Sequence, residues 1–179
     1  MKNMELKKHK IGIGILTCDR QEYYKKCLSS VNNVIKLDSK FDHTTICVND
    51  GQSYQIDLSD ADYVVNHIYN KGVSYSKNEI VSYLINRGCE YIFIIEDDIE
   101  LINSQVFDMY IQASNRSGIH HFMCGSFLPS RGDILNTFNY TNSNISVCVY
   151  RNCAGSFKFY TRECLLKTGM FYEYYLNSL

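Results

Sequence analysis

The stretch YIFIIEDDIE, residues 91–100, joins five apolar residues directly to a cluster of carboxylates. The apolar run predicts a short strand that is buried on both faces. Glu96, Asp97 and Asp98 follow at its end, where their mutual repulsion costs free energy unless a cation or hydrogen bonds compensate it. Because Mg²⁺ and Mn²⁺ prefer oxygen ligands, the stretch predicts a metal site. A solvated turn or the start of a helix is the plainer alternative.

Strands and helices alternate on both sides of this stretch. The apolar patterns predict strands at 10–16, 44–48, 63–68 and 91–95, and helices at 21–35, 74–86 and 104–114. Further strands are expected at 122–128, 145–150 and 156–160, followed by a short helix at 161–168. The alternation up to residue 103 predicts an α/β fold with a Rossmann-like, doubly wound and mostly parallel sheet, helices on both faces and a mixed second half.

Polar residues follow the first two predicted strands. Thr17, Asp19 and Arg20 come after the first strand, and Asn49 and Asp50 come after the second. In such sheets, ligands bind at the carboxyl ends of the strands, so we expect these side chains to share one site with the acidic cluster. The alternatives are local, since Asp19 could cap the following helix and an Asn-Asp-Gly sequence favours a turn.

Four segments in this order resemble the nucleotide-binding half of a family 2-like glycosyltransferase with the GT-A fold. They are ILTCDR (15–20), VNDGQS (48–53), NKGVSYSKN (70–78) and IEDD (95–98). In that family the first three segments hold the nucleoside of a sugar donor. The last is the D-x-D motif, which binds the metal that bridges the donor's diphosphate.

The resemblance implies a role for individual residues. Asp98 is the implied ligand of Mn²⁺ or Mg²⁺, and Glu96 occupies the first acidic place of the motif. Lys77 replaces the usual arginine and cannot reproduce a bidentate guanidinium contact. From the residues alone, Lys77 could meet a ribose or phosphate oxygen, or could lie on a solvated helix face. The donor nucleotide site implied by the resemblance consists of Thr17, Asp19, Arg20, Asn49, Asp50, Lys77, Glu96 and Asp97.

The second half of the chain resembles the acceptor side of the same family. The segment AGSFKFYTR (154–162) is similar to a strand that leads into a short helix, and GMFYE (169–173) is similar to a Gly-Phe-Asp-Glu stretch. The family places a general base beyond this point, and no Glu-Asp pair follows Glu173. We therefore expect one domain, 1–179, with a nucleotide-sugar-binding half (1–103) and a partial acceptor half (104–179). Either Glu173 is catalytic or the base lies outside this chain.

The resemblance implies metal-dependent transfer of a sugar from a nucleotide diphosphate donor to an acceptor hydroxyl, with inversion. UDP is the default nucleotide, GDP and dTDP remain open, and the acceptor is a glycan, a lipid-linked molecule or a protein. One alternative is a non-catalytic or truncated nucleotide-sugar-binding domain. Another is a nucleotidyltransferase, which usually needs a Gly-rich basic loop that residues 17–20 do not resemble.

Composition excludes other classes of function. A net charge of -1 argues against nucleic-acid binding, because that requires many phosphates to be neutralised. The eight cysteines include no C-x-x-C pair, so zinc-finger spacing is missing. No apolar run is long enough to cross a bilayer, and no export signal begins the sequence. We therefore expect a cytoplasmic protein, either free or peripheral to the inner face of a membrane.

Overall fold

The computed structural model describes residues 8–124, 134–140, 145–150 and 155–173. Strands and helices alternate in the first part of this range, as the apolar patterns predict, and a strand-rich part follows. In chain order the elements are β1 (Lys10–Thr17), α1 (Gln21–Leu37), β2 (Asp42–Asn49), β3 (Tyr63–Asn66), α2 (Val73–Asn86), β4 (Tyr91–Glu96), α3 (Val106–Ser117), β5 (His121–Met123), β6 (Ile134–Tyr140), β7 (Ile145–Tyr150), β8 (Phe157–Thr161) and α4 (Arg162–Thr168).

The main sheet has the strand order β3-β2-β1-β4-β8-β5. The first four strands in this order are parallel, whereas β8 pairs antiparallel with both β4 and β5. Buried residues of α1 and α3 pack on one face of the sheet, and those of α2 pack on the other. The prediction of a doubly wound, mostly parallel sheet with a mixed second half is therefore confirmed.

Two glycines in β1 allow α2 to lie directly on the sheet. A Cβ atom at Gly14 would come within 2.1 Å of the Ile80 Cγ2 atom, and one at Gly12 would come within 2.8 Å of a Leu84 methyl carbon. Ile80 and Leu84 are fully buried. The glycines therefore set the close approach of helix and strand, which fixes where the start of α2 lies relative to the end of β1.

The strands β6 and β7 form a separate antiparallel pair. The strand predicted at 145–150 is confirmed as β7. The strand predicted at 122–128 is confirmed for β5, and its remainder, 125–128, lies outside the described residues. The sequence patterns missed β6, whose ILNTFNY sequence has no clear alternation and whose residues are mostly exposed. Within the described ranges, no helix is long and apolar enough to cross a membrane.

Candidate functional site

The carboxyl ends of β1, β2 and β4 meet at one edge of the sheet. Thr17 pairs with Asn49 across β1 and β2, and Leu16 pairs with Glu96 across β1 and β4. The backbone pairing continues past the strands, since the Asp50 N–H donates to the Thr17 carbonyl at 2.9 Å. The polar residues at these strand ends therefore lie at one edge of the sheet, and their sharing one binding site stays a prediction. We call this group of strand ends and their loops the donor edge, after the donor site that the family resemblance implies there.

Asp97 is the most completely buried charge at the donor edge, and its side chain has no exposed surface. Its Oδ2 accepts a hydrogen bond from Thr17 Oγ1 at 2.7 Å and one from Arg20 Nε at 3.2 Å. Arg20 also donates from Nη2 to Oδ1, which makes the contact bidentate. Burial raises the pKa of the Asp97 carboxyl, and the Thr17 and Arg20 contacts act in the opposite direction.

Tyr54 extends this network from the loop after β2. Its hydroxyl lies 2.7 Å from Thr17 Oγ1. Because the single Thr17 hydroxyl proton is given to Asp97, the Tyr54 hydroxyl is the donor in this contact. Burial raises the pKa of Tyr54 to about 12, so the phenol keeps this proton at neutral pH. The row Tyr54–Thr17–Asp97–Arg20 thus fixes the side of the donor edge that faces α1.

Glu96 points toward the other face of the sheet. Its Oε1 accepts a hydrogen bond from Lys77 Nζ at 2.6 Å. The Lys77 side chain is 8% exposed and that of Glu96 is 24% exposed, so the ion pair is largely buried under α2. The alternative that Lys77 lies on a solvated helix face is therefore wrong. Its spacing from Ile80, Val81 and Leu84 places it on the apolar stripe of α2, a signal already present in the sequence.

Asp50 is held by three N–H donors. Its Oδ1 lies 2.6 Å from His67 Nδ1 and accepts from the Lys71 backbone N–H at 2.8 Å. Its Oδ2 accepts from the backbone N–H of Gly72 at 2.9 Å. Gly72 has a φ of 94°, which favours glycine and lets the turn bring both N–H groups onto one carboxylate just before α2.

Asn49 and Asp19 shape the loop that follows β2. Asn49 is fully buried, and its amide bonds the Tyr54 carbonyl and the Gly51 N–H. Asp19 does not cap α1, because Arg20 is the N-cap residue and its side chain makes no cap hydrogen bond. Instead, Asp19 Oδ1 accepts from the N–H groups of Ser53 at 2.6 Å and Gln52 at 2.7 Å, and these bonds lower the pKa of the Asp19 carboxyl.

Comparison with solved structures places this arrangement in a known fold. The chain is similar to residues 1–349 of TarS from S. aureus, with a TM-score of 0.66, 15% identity, and coverage of 94% of this chain and 52% of that one. It is also similar to the mannosyltransferase PcManGT from Pyrobaculum calidifontis in complex with GDP-Man and Mn²⁺, with a TM-score of 0.62 and 11% identity. That match covers 93% of this chain and 48% of the mannosyltransferase.

The chain has the GT-A fold. No protein-family model matches the chain, and no curated protein matches its sequence. At the identities found, the likeness concerns the fold. The chain spans about half the length of each of these two structures.

Asp98 occupies the loop after β4 in this GT-A fold, and it differs from its two acidic neighbours. It is exposed, and it forms no hydrogen bond or ion pair with another described residue. Strand alternation would place Glu96 and Asp98 on the same side, but it does not extend this far, because β4 ends at Glu96 and a turn begins. In the described part of the chain, no three His, Cys, Asp or Glu side chains form a metal site. A single free carboxylate suits Mg²⁺ or Mn²⁺ when water and substrate phosphates complete the shell.

Glu173 lies on the α2 side of the GT-A fold. Its Oε1 accepts from the Asn78 side-chain amide at 2.6 Å, and the same amide group exchanges two hydrogen bonds with the Phe171 backbone. Glu173 is exposed and lines a cavity of about 420 Å³ between α2 and the outer strands. No residue of the predicted donor site lines that cavity. Glu173 therefore contacts α2 at Asn78, the residue that follows Lys77 in the chain.

No sequence pattern had pointed to Tyr54, His67 or Glu79 as residues of this edge. His67 lies just after β3, where the pattern YVVNHI indicated only a strand residue, and Tyr54 lies in a loop without periodicity. Glu79 Oε2 lies 2.5 Å from His67 Nε2, across the space between α2 and the end of β3. The available sequence signal for His67 was a histidine near the end of a predicted strand, close to the place that the other polar strand-end residues occupy. No sequence pattern indicated Glu79.

Proposed function

We propose that this chain binds a nucleotide diphosphate sugar at the donor edge, together with Mn²⁺ or Mg²⁺, and serves sugar transfer to an acceptor hydroxyl. The observation that carries the proposal is the contrast between Asp98 and its neighbours. Lys77 neutralises Glu96, and Arg20 neutralises Asp97, whereas Asp98 is exposed and unpaired within the described residues. One carboxylate at this edge is therefore free to bind a cation.

The same charge balance supports metal dependence. A nucleotide diphosphate carries two or more negative charges, and the two described cations that contact the acidic residues after β4, Arg20 and Lys77, are already paired. A divalent metal on Asp98 would supply the missing positive charge and stabilise the diphosphate as it leaves. Arg20 holds Asp97 in place through a bidentate contact and Lys77 holds Glu96 through an ion pair, so neither carboxylate faces the donor as an unpaired group.

We propose that Asp50 accepts a hydrogen bond from the nucleobase of the donor. An ionised carboxylate has about four acceptor positions, and three of those on Asp50 are filled by His67, Lys71 and Gly72. The remaining position is on Oδ2, which among the described residues accepts a hydrogen bond only from Gly72. An acceptor at this place can take a hydrogen bond from the ring N–H of uracil, thymine or guanine. It therefore agrees with UDP as the first candidate and GDP and dTDP as the next, which is the order that the family resemblance implies.

The proposed division of the chain follows the sheet. Residues 1–103 contain the donor edge, and residues 104–179 form part of an acceptor side. Transfer with inversion needs a base that takes the acceptor hydroxyl proton as the oxygen attacks the anomeric carbon. Glu173 is the candidate in this chain, although its Asn78 contact holds it on the α2 side. The acceptor is proposed to be a glycan, a lipid-linked molecule or a protein.

A donor panel tests the proposal. Thermal unfolding would be measured with UDP, GDP, dTDP, CDP and ADP, with and without Mn²⁺, and nucleotide release from the matching sugar donors would be assayed. We expect UDP to stabilise the chain only with Mn²⁺, by about 3 kcal/mol at 100 times its dissociation constant. Stabilisation without turnover on any donor would favour a binding domain. Release of pyrophosphate from a nucleoside triphosphate would favour a nucleotidyltransferase, and no stabilisation by any nucleotide would contradict the proposal.

A further inference from the structure

His67 lies between two carboxylates beside the donor edge. Its Nδ1 is 2.6 Å from Asp50 Oδ1, and its Nε2 is 2.5 Å from Glu79 Oε2. The His67 side chain is 2% exposed and that of Asp50 is 4% exposed, whereas Glu79 is 30% exposed. The row Asp50–His67–Glu79 therefore runs from the end of β2 to the surface of α2.

The row Asp50–His67–Glu79 needs one more proton than a neutral imidazole between two carboxylates supplies. An ionised carboxylate only accepts hydrogen bonds, and a neutral imidazole has a single N–H. Both contacts are made together only when the three groups share two protons, with the imidazole doubly protonated or one carboxyl protonated. The row is then a charge-assisted network with one net negative charge, and such bonds are stronger than neutral ones.

Residues of the turn before α2 and of its first turn pack against the row Asp50–His67–Glu79. The Tyr75 ring packs edge-on against His67 at a centroid distance of 5.9 Å, and the Lys71 ammonium lies 4.5 Å from the centre of the same ring. The Lys71 backbone N–H donates to the Asp50 oxygen that also meets His67. Asp50, its turn and α2 are therefore held as one unit.

We propose that His67 and Glu79 are positioning residues that orient Asp50 for donor binding. This inference rests on the proposed function, because it concerns the same nucleobase contact. His67 and the Lys71 N–H fill both acceptor positions of Oδ1, which stops the carboxylate from rotating and leaves the vacant position on Oδ2. Glu79 holds the far side of the imidazole, so that its Nδ1–H stays directed at Asp50.

Substitutions at His67 separate its two contacts. His67→Asn keeps an N–H donor at the place of Nδ1 and loses the Glu79 contact, whereas His67→Leu loses both. We expect His67→Leu to weaken UDP binding in the presence of Mn²⁺ by about tenfold or more, as loss of a hydrogen bond to a charged group implies. His67→Asn should restore the affinity to within about threefold of wild type.

Substitutions at Glu79 test the outer contact by rescue. A glutamine amide can donate to Nε2 of a neutral imidazole, which leaves Nδ1–H free to donate to Asp50. We therefore expect Glu79→Gln to bind UDP with wild-type affinity and Glu79→Leu to bind about threefold more weakly. His43 supplies the matched control, since its Nε2 lies 3.2 Å from Asp38 Oδ2 near the opposite end of β2. His43→Leu should bind UDP as wild type does.

Amide hydrogen exchange provides a readout that does not require a nucleotide. Loss of Asp50 orientation in His67→Leu should speed exchange of the Lys71 and Gly72 amides by about tenfold, and His43→Leu should leave them unchanged. UDP affinity within twofold of wild type together with unchanged exchange in His67→Leu would overturn the inference. If His67→Leu does not fold, the same comparison is made between Glu79→Leu and Glu79→Gln. If the wild-type chain binds no nucleoside diphosphate, the proposed function fails, and the exchange measurement alone decides the positioning role.

Discussion

The buried ion pair between Lys77 and Glu96 allows a quantitative test of how the donor edge is built. With Nζ and Oε1 2.6 Å apart, their attraction is about 6 kcal/mol at an effective dielectric constant of ~20. Desolvation of both groups offsets most of this attraction, so we expect a net coupling of about 2 kcal/mol. Glu96→Leu leaves the ammonium buried and unpaired and should cost about 3 kcal/mol, because a charge without a partner is the larger penalty.

The double-mutant cycle completes this prediction. Lys77→Met should cost less, about 2 kcal/mol, because Glu96 is 24% exposed and can reach water. The double variant should then cost about 3 kcal/mol rather than the sum of the two single effects. Urea unfolding gives all four free energies. The pair Glu163 and Lys167 has the same 2.6 Å separation but is exposed, and should show no measurable coupling. Additivity at Lys77 and Glu96, or equal coupling in both pairs, would refute the reasoning.

Three further predictions concern the strand and loops of the donor edge. Gly14→Ala should destabilise the fold by about 1–3 kcal/mol in urea unfolding, because its Cβ would overlap Ile80 Cγ2, and a Gly14→Ala variant as stable as wild type would contradict this. Gly51→Ala should abolish UDP binding, since its Cβ would lie 2.4 Å from the Asp19 backbone nitrogen; unchanged affinity would be inconsistent with the loop structure. Asp19 has a lowered pKa in the folded state, so its stabilising effect is present above the ordinary aspartate range and is lost as pH falls through the lowered value. The stability difference between wild type and Asp19→Asn should therefore shrink in acid, and a difference that is constant with pH would exclude this role.

The sequence patterns predicted the sheet well because its central strands are strongly apolar. The apolar run at 91–95 predicts a central strand, because it can be buried on both faces there, and β4 lies between β1 and β8. Parallel pairing then brings Thr17, Asn49 and Glu96 to one edge without further information. Strand β6 escaped prediction because its residues are mostly exposed and carry no alternating pattern.

The roles of side chains at the donor edge were harder to predict, because they depend on how loops fold. Asp19 bonds backbone N–H groups 33 and 34 residues away, and no local pattern reports such a contact. Asp98 leaves the strand alternation because the turn begins one residue earlier. His67 and Glu79 become neighbours only when α2 packs on the sheet. Lys77 differs, since its helical spacing from Ile80 and Leu84 carries the signal of a buried position, although a solvated helix face had been left open for it.

The most direct test of the proposed function is calorimetric titration of UDP with Mn²⁺ into wild type, Asp98→Asn and Asp42→Asn. Asp42 is an exposed aspartate at the start of β2, at the opposite end of the sheet, and serves as the matched control. We predict Mn²⁺-dependent binding in wild type and Asp42→Asn, and a loss of at least about tenfold in affinity in Asp98→Asn with no change in stability. Equal Mn²⁺-dependent affinity in all three proteins, or the same UDP affinity with and without Mn²⁺, would contradict a metal-bridged donor site at Asp98.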